Sequence, residues 1–521
     1  MSLHSSTGEI IAVIDIGSSA IRLLVAQRNT KDWDVLDSAE QPLALGRDVF
    51  SSGSIGNRTV SRAIEILCGF QELMAPYGVN RVVAIGTSAL RESVNREMFV
   101  DRVLLQTGIE VRVIDGVEAN QLTWLAVRKP LKKAINGFTR HNSLIIEVGA
   151  GNTELMILHH GKVASSHALS IGTLRFLQRL DKHYGSDDVN EMFRRHAVQS
   201  VRAMAHELNL ERISKLVAVG GDARLVAARL GKKVTKDVWA IPRDEFRSFK
   251  KEIGVLSPEE IIARIDLPWN EAELLYPAMV IFDTFFDATR ADEILVPQGN
   301  IRQGLLINYA ASPDALRSIF STQVLAGAMN LAKHYRTDMK HIDFVREQSL
   351  ILYDELTAVL GLKGYHRLFL EAAAILHDVG LFIGGNAHHK HGQYIVRNSD
   401  IFGLSASDKE LISHVVRYHR RAKPHKSHNL YMALSRSQRI LVQKLAALLR
   451  VADALDRSHS QRVSIRGIAL EEDFLVIFTD CPGDLSLEEL SLADKGDLFE
   501  DVFGLKPVLR KDHRPQRSTD L

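Results

Sequence analysis

Residues 13–26, VIDIGSSAIRLLVA, decide the fold, because residues 145–158, IIEVGAGNTELMIL, repeat their pattern. Each copy is two apolar runs of strand length around a tip of small residues. In the first, residues 10–16 and 21–27 flank Gly17, Ser18 and Ser19; in the second, residues 143–148 and 154–159 flank Gly149, Ala150, Gly151, Asn152 and Thr153. Short apolar runs punctuated by Gly, Ser and Asn are strands joined as a β-hairpin. Glu147 answers Asp15 at an offset of 132 residues (147 against 15). Solenoid units recur every ~20–50 residues, so this offset means a duplicated domain.

Around the hairpins the pattern alternates. A helical spacing at Val60, Ile64, Leu67 and Leu73 stops at Pro76 and Gly78, then come strand RVVAIG, helix EMFVDRVLLQTG, strand EVRVID and helix VEANQLTWLAV. Alternation of this kind builds α/β layers. A third glycine turn, Gly220 and Gly221, follows strand KLVAVGG. Beyond about Ser312 long amphipathic helices take over at 316–335, 341–360, 365–378, 408–418 and 437–455. The end of the chain reads as two strands in VSIRGIALEEDFLVIFTD, one helix in LSLEELSLADKGDLFEDVFG, and a polar, frayed RKDHRPQRSTDL. The expected domains are therefore two α/β units over 1–130 and 131–310, an all-α unit over 311–460 and a small α/β unit over 461–521.

At 521 residues the chain has room for three or four units of ~150 residues. A composition of 45% hydrophobic and 25% charged residues excludes a disordered or fibrous chain. No apolar run approaches the ~20 residues of a bilayer helix, and MSLHSSTGEI lacks a signal-peptide pattern, so a cytoplasmic protein without membrane partners is expected. Cys68 and Cys481 lack disulfide or metal spacing and read as free thiols. Sixty-five Lys and Arg against 63 Asp and Glu predict no general attraction to nucleic acid. Anion binding must be local. RYHRRAKPHKSH gathers Arg417, Arg420, Arg421, Lys423 and Lys426, a cluster able to guide a polyanion by counterion release, or else a solvated loop.

The two hairpin tips present successive backbone N–H groups to an anion. Asp15 and Glu147, ending the first strand of each, suit Mg2+ or Mn2+ held between protein and phosphate. Taken singly each residue has an ordinary reading: Asp15 as a strand-end cap, Arg91 as a surface arginine, Glu118 as an acid favoured by ~0.3–1 kcal/mol at a helix start.

One ordered set joins these pieces: IDIGSSAIRLLVA, AIGTSALRESVN, VIDGVEANQLTWLAV, LIIEVGAGNTELMI, LSIGTLRF, VAVGGDARLVA, QGNIRQGLL, LEAAAILHDVG, HHKHGQYIV, VRYHRRAKP and LLRVADALDRS. It resembles the exopolyphosphatase and guanosine pentaphosphate phosphohydrolase family, a branch of the actin-like, sugar-kinase and heat-shock ATPase fold. The resemblance implies two duplicated actin-like (ribonuclease H-like) domains, an HD-like helical domain, a small α/β tail and a homodimer. It implies Mg2+-dependent release of orthophosphate from the end of polyphosphate, or alternatively conversion of pppGpp to ppGpp. By the same resemblance Glu118 is the general base, Arg91 grips phosphate, Glu147 and Glu154 belong to the metal and water site, and Gly17 to Ser19, Gly149 to Thr153, and Gly220 with Gly221 are the phosphate turns. Several positions depart from the family's pattern: Ser19 and Ala20 in the first turn, Glu147 and Ala150 in the second, Ala119 beside Glu118, and Asp222 after the third turn. These departures keep open a non-catalytic polyphosphate or alarmone sensor; a kinase of the same superfold is the third reading.

His377-Asp378 ends the helix LEAAAILHDVG, with His341 upstream and Asp453 downstream, the order H, HD, D of HD-type metal phosphohydrolases. Imidazole and carboxylate donors suit a transition metal. His388, His389, His391 and His419 add donors, while the plainer reading has these histidines hydrogen-bonded within a helical core.

Overall fold

A computed structural model describes residues 8–511 apart from 31, 136–137, 181–188 and 207; the tail expected to fray lies, from residue 512 on, outside the described residues. The chain packs as two compact units, Met1–Leu316 and Arg317–Leu521. The sequence predicts four segments; the two compact units divide the chain more coarsely.

In the first unit, β1 (Ile10–Ile16), β2 (Ala20–Arg28), β3 (Trp33–Pro42), β4 (Arg81–Gly86) and β5 (Val111–Val113) form a sheet of order β3-β2-β1-β4-β5. A second sheet holds β6 (Ser143–Val148), β7 (Thr153–His159), β8 (Lys162–Leu169), β9 (Lys215–Val219), β10 (Lys232–Thr235), β11 (Val238–Pro242) and β12 (Glu293–Pro297), ordered β10-β11-β12-β9-β6-β7-β8. Five of its strands, β8-β7-β6-β9-β12, reproduce the first sheet's order. They also reproduce its strand directions, antiparallel within each hairpin and parallel across to β4 or β9. Register matches too: Asp15 faces Arg22, and Glu147 faces Glu154. At the tips, Gly17 N–H donates to Ala20 O at 3.0 Å and Gly149 N–H to Asn152 O at 2.9 Å. The 132-residue offset is thus a structural duplication, set by the two-residue side-chain period that a one-residue slip would invert.

Apolar side chains on both faces of β1 explain why its residues are nearly all buried. Ala12, Ile14 and Ile16 pack with helix Asn57–Met74 through Val60, Ile64 and Leu67, while Ile11 and Val13 face the other layer with Leu122, Leu305 and Leu306. Leu305 and Leu306 lie on helix Ile301–Ala310, which returns to pack on the first sheet beside helix Gly116–Ala134. Helix Gly116–Ala134 runs through the expected boundary near 130, while the two main apolar clusters lie on either side of it, Ala12 to Val111 and Leu144 to Val296. The second sheet is covered by helices including Val189–Ala205 and Trp269–Ala288.

In the second unit, helices Met339–Leu360, His366–Leu376, Ala406–Arg417 and Arg436–Ala454 follow the expected pattern, and a helix His388–Asn398 appears in a stretch whose polar HHKHG start hides its period. The tail differs from expectation in two ways. Its single predicted helix divides at Gly496 into Ser486–Lys495 and Asp497–Phe503. A third strand, β15 (Lys506–Lys511), joins β13 (Gly467–Leu470) and β14 (Phe474–Thr479) in the order β13-β14-β15. Buried Arg450 ties this tail to the helical core, donating to Tyr418 O at 2.7 Å and to Asp497 at 2.8 Å, so residues 461–511 share a core with the helices. Both cysteines are free, and no described helix is long and apolar enough to cross a membrane.

Candidate active site

Helix Gly116–Ala134 links the two halves of the first unit. Its N-cap Asp115 accepts from Glu118 N–H at 2.7 Å, leaving the first turn free to meet the second hairpin. Asn120 donates to Glu154 Oε2 at 3.3 Å and to Ser166 at 2.9 Å; Thr123 donates to Glu147 Oε2 at 3.1 Å. Arg91, anchored by a 3.1 Å bond to Ile114 O, brings Nη2 to 4.0 Å from Glu154 Oε1. The structure therefore gathers Arg91, Glu147 and Glu154, three of the residues expected at a catalytic site, with Asn120 and Thr123.

Burial dominates the charges here. It pushes Glu154 up to about 7, with Glu147 and Asp115 adding to the rise while Arg91 and the Asn120 bond oppose it. It raises Glu147 and Asp15 as well; Thr123 and Arg224 pull Glu147 back, and Arg22 and Arg302 pull Asp15 back. Asp222, after the third turn, rises to about 7 through burial, then Glu271, against Arg22 and Arg224. Two buried polar atoms in this group have no hydrogen-bond partner in the structure, Asp15 Oδ1 and Arg224 Nη1. A buried acceptor without a donor, beside a second acid that its charge also raises, fits a divalent cation held by Asp15 and Glu147. The unspent Arg224 donor fits an anion's oxygen.

The second turn is held firmly. Ala150 O accepts from Leu174 and Arg175 N–H, both at 3.0 Å, and Thr153 Oγ1 donates to Ile171 O at 2.5 Å. Arg175 donates to Gly151 O at 2.6 Å and Asn152 Oδ1 at 3.1 Å, lies over the Phe50 ring, and pairs with Glu92 of the first half. A Cβ at Gly151 would strike the tip of the Phe50 ring, so a larger residue there would have to displace it. In the first turn Ser18 Oγ lies 3.0 Å from Ser88 Oγ and Ser19 O accepts from Leu43 N–H. Gly220 sits at φ 107, a backbone that side chains rarely adopt, and caps helix Gly221–Leu230 beside Glu147.

Glu118 is the correction. Gly116, Asn120 and Thr123 share the helix face toward Glu154 and Glu147, and at 3.6 residues per turn Glu118 lies about 200° round from Gly116. Its Oε1 is taken by Arg112 Nη1 at 2.5 Å. The expected base thus faces away from the acids it was to work with. Sequence reasoning also passed over Asn120, Thr123, Arg22 and Arg224. Arg22 was within reach, since it occupies the position in the first hairpin that Glu154 occupies in the second.

Comparison with known proteins follows the same outline. The profile of the Ppx/GppA phosphatase family matches residues 24–312, and that of Ppx/GppA phosphatase domain III matches residues 325–479. The chain belongs to the Ppx/GppA phosphatase family. Membership places it among phosphohydrolases. Relatives in the family include a guanosine-5'-triphosphate,3'-diphosphate pyrophosphatase of Pseudoalteromonas translucida, 23% identical over 453 residues that cover 85% of this chain and 86% of that one. A protein of the same name from Aeromonas salmonicida is 22% identical over 79% of this chain and 80% of its own. Among solved structures, an exopolyphosphatase from Cytophaga hutchinsonii superposes with a TM-score of 0.51 at 21% identity, covering 58% of this chain and 98% of that one, which supports the actin-like Ppx/GppA fold.

In the second unit the structure brings together His341, His377, Asp378 and Asp453. Burial works against charge on His341, but bonds to Asp453 and Asp456 outweigh it and raise the imidazole to about 9. Two of the five cations in the expected polyanion cluster are paired, Arg421 with Asp494 at 2.6 Å and Lys423 with Asp497 and Asp501. Arg420 keeps an intermediate exposure near His388.

Proposed function

We propose that the first unit hydrolyses a terminal phosphoanhydride, water attacking the end phosphorus of polyphosphate while the anhydride bond breaks and orthophosphate leaves. The observation that carries this reading is Glu154, a carboxyl raised to about 7, oriented by Asn120 and set beside Arg91. A base with a pKa near working pH is suited to accept the water proton, a contribution of typically ~10²–10⁴-fold. Glu154 replaces Glu118 in that role. Arg91, Arg224 and the backbone N–H groups of the turns at Gly17 to Ser19 and Gly149 to Thr153 hold the equatorial oxygens, the positioning on which phosphoryl transfer depends. Asp15 and Glu147 would hold Mg2+, which when bound supplies positive charge for the phosphate oxygens. Thr123 fixes the Glu147 carboxylate for that purpose.

A second reading, pppGpp to ppGpp by the same attack, is favoured by the names of the two relatives that span most of this chain. Both readings share the residues above. Two copies pairing as a homodimer complete the proposal, and light scattering on the full chain checks it. The experiment that tests the activity is orthophosphate release from long-chain polyphosphate, tripolyphosphate and pppGpp, with Mg2+ and after chelation. Release that chelation abolishes supports the reading. Tight binding without turnover of any of the three supports the sensor instead.

A further inference from the structure

Four histidines of the second unit point the same ring nitrogen at one carboxylate. Asp378 Oδ2 lies 3.6 Å from His377 Nε2 and 3.8 Å from His341 Nε2, while its Oδ1 lies 3.5 Å from His388 Nε2 and 3.8 Å from His419 Nε2. Each oxygen thus serves its own pair of rings. Within each pair the nitrogens nearly touch, His341 and His377 at 3.3 Å, His388 and His419 at 3.2 Å. All four rings are at most 7% exposed.

The far nitrogens show why the short His388–His419 separation is not an ordinary hydrogen bond. Nδ1 of His377 lies 2.7 Å from Ala374 O, that of His388 3.2 Å from Gly385 O, and that of His419 2.7 Å from Val416 O. A carbonyl only accepts, so each of these rings spends its proton at Nδ1 and turns an Nε2 lone pair inward. His388 and His419 therefore confront each other with two lone pairs and no proton between them. His341 is fixed likewise by Asp456 at 2.8 Å. A carbonyl or carboxylate behind each imidazole is the arrangement that orients metal-ligating histidines. Two nitrogens each ~2.1 Å from a common ion and about 100° apart would stand ~3.2 Å from each other.

We infer that the second unit holds a pair of divalent transition-metal ions bridged by Asp378, one bound by His341, His377 and Asp453, the other by His388 and His419. Two overlapping donor sets share Asp378, and Asp453 Oδ1 adds a donor 3.5 Å from His341 Nε2. The other Asp453 oxygen is held by the Lys495 ammonium, which offsets part of the charge of Asp378, Asp453 and Asp456. Nitrogen and carboxylate donors favour Mn2+, Fe2+, Co2+ or Zn2+ over Mg2+. Among the described residues the His388 and His419 side has three protein donors, which leaves positions for water or a phosphate oxygen, with Arg420 close by. This is a site separate from the oxygen-only donors of the first unit.

Co2+ distinguishes the two sites, because the stronger field of nitrogen ligands moves its visible d–d absorption to shorter wavelength than oxygen ligands alone give in the same geometry. Titrated into the full, metal-stripped chain, Co2+ should develop that absorption to an end point of two ions, and Mn2+ should give the electron paramagnetic resonance spectrum of a spin-coupled pair. The H388Q/H419Q double variant should halve the absorption end point and lose the coupled spectrum, leaving a single-ion signal, and D378N should lose the coupling. A wild-type chain with no nitrogen-ligand absorption, or with uncoupled Mn2+ only, overturns the inference, and that result is read on the wild type alone, whether or not a variant folds.

Discussion

Glu154 stands directly opposite Glu147 across an antiparallel pair, at the position where Arg22 stands opposite Asp15 in the first hairpin. One copy of the duplicated unit sets an acid opposite an arginine, which pairs with Glu40 at 2.8 Å; the other sets two acids face to face, an arrangement that destabilises a sheet by like-charge repulsion. Both acids are raised by burial, and the charge of Glu147 raises Glu154 further. A cation and a proton acceptor are what such a pair is suited to.

Removing one charge should stabilise the empty site and spoil the loaded one. E147Q is expected to melt at or above the wild-type temperature in chelator, and to lose most of the Mg2+-induced rise that the wild type shows, since only binding to the folded state raises stability. Differential scanning calorimetry with and without Mg2+ checks both halves. A Mg2+-induced shift unchanged in E147Q would remove Glu147 from the cation site.

Activity should follow the ionisation of Glu154. Only the charged carboxylate accepts a proton, so phosphate release should be low in acid and climb as pH rises toward about 7. Arg91 holds that value down, so R91M should move the acid limb to higher pH as well as lowering kcat/KM by roughly 10²-fold through the lost phosphate grip. Rate against pH for both proteins is the measurement; an unmoved limb means that another group titrates.

How much of this could be read from the sequence depends on where each side chain's partner sits. The hairpin copies, Asp15 and Glu147 were legible because strand period and register are local, and a 132-residue repeat marks them twice; Glu154, whose counterpart is Arg22, was reached only through the family resemblance. Asn120 and Thr123 were not: they sit in a helix where polar residues usually face solvent, and only the packing of Gly116–Ala134 against the second hairpin gives them partners. Glu118 misled because a first-turn acid looks the same whether it faces a cleft or an arginine such as Arg112, which is close in sequence but on a strand. The histidine order H, HD, D was visible. The contributions of His388 and His419 depended on helix His388–Asn398, which the sequence pattern conceals.

Stability should carry the mark of Asp222. Its folded value, about 7, lies above the ordinary 3.8, so its contribution is fully present below 3.8 and is lost as pH climbs through about 7. D222N has no such loss. Its melting temperature relative to wild type should therefore rise between pH 4 and pH 8, and a difference that stays flat across that range would show that Asp222 is not held in this environment.

Thr153 tests whether the second turn needs its anchor. T153V keeps the volume but leaves the buried Ile171 carbonyl without its 2.5 Å donor, a change worth about 1–3 kcal/mol. A urea midpoint lowered accordingly, with a raised KM for the phosphate substrate, is expected. An unchanged KM alongside lost stability would confine Thr153 to folding.

Glu154, not Glu118, is assigned the proton of the attacking water, and the whole catalytic reading turns on that assignment. Orthophosphate release from polyphosphate and pppGpp by E154Q and E118A, side by side with the wild type, tests it most directly. E154Q is expected to lose at least ~10²-fold in kcat with substrate binding kept, while E118A stays within a few-fold of wild type. Full activity in E154Q together with an inactive, folded E118A would contradict it.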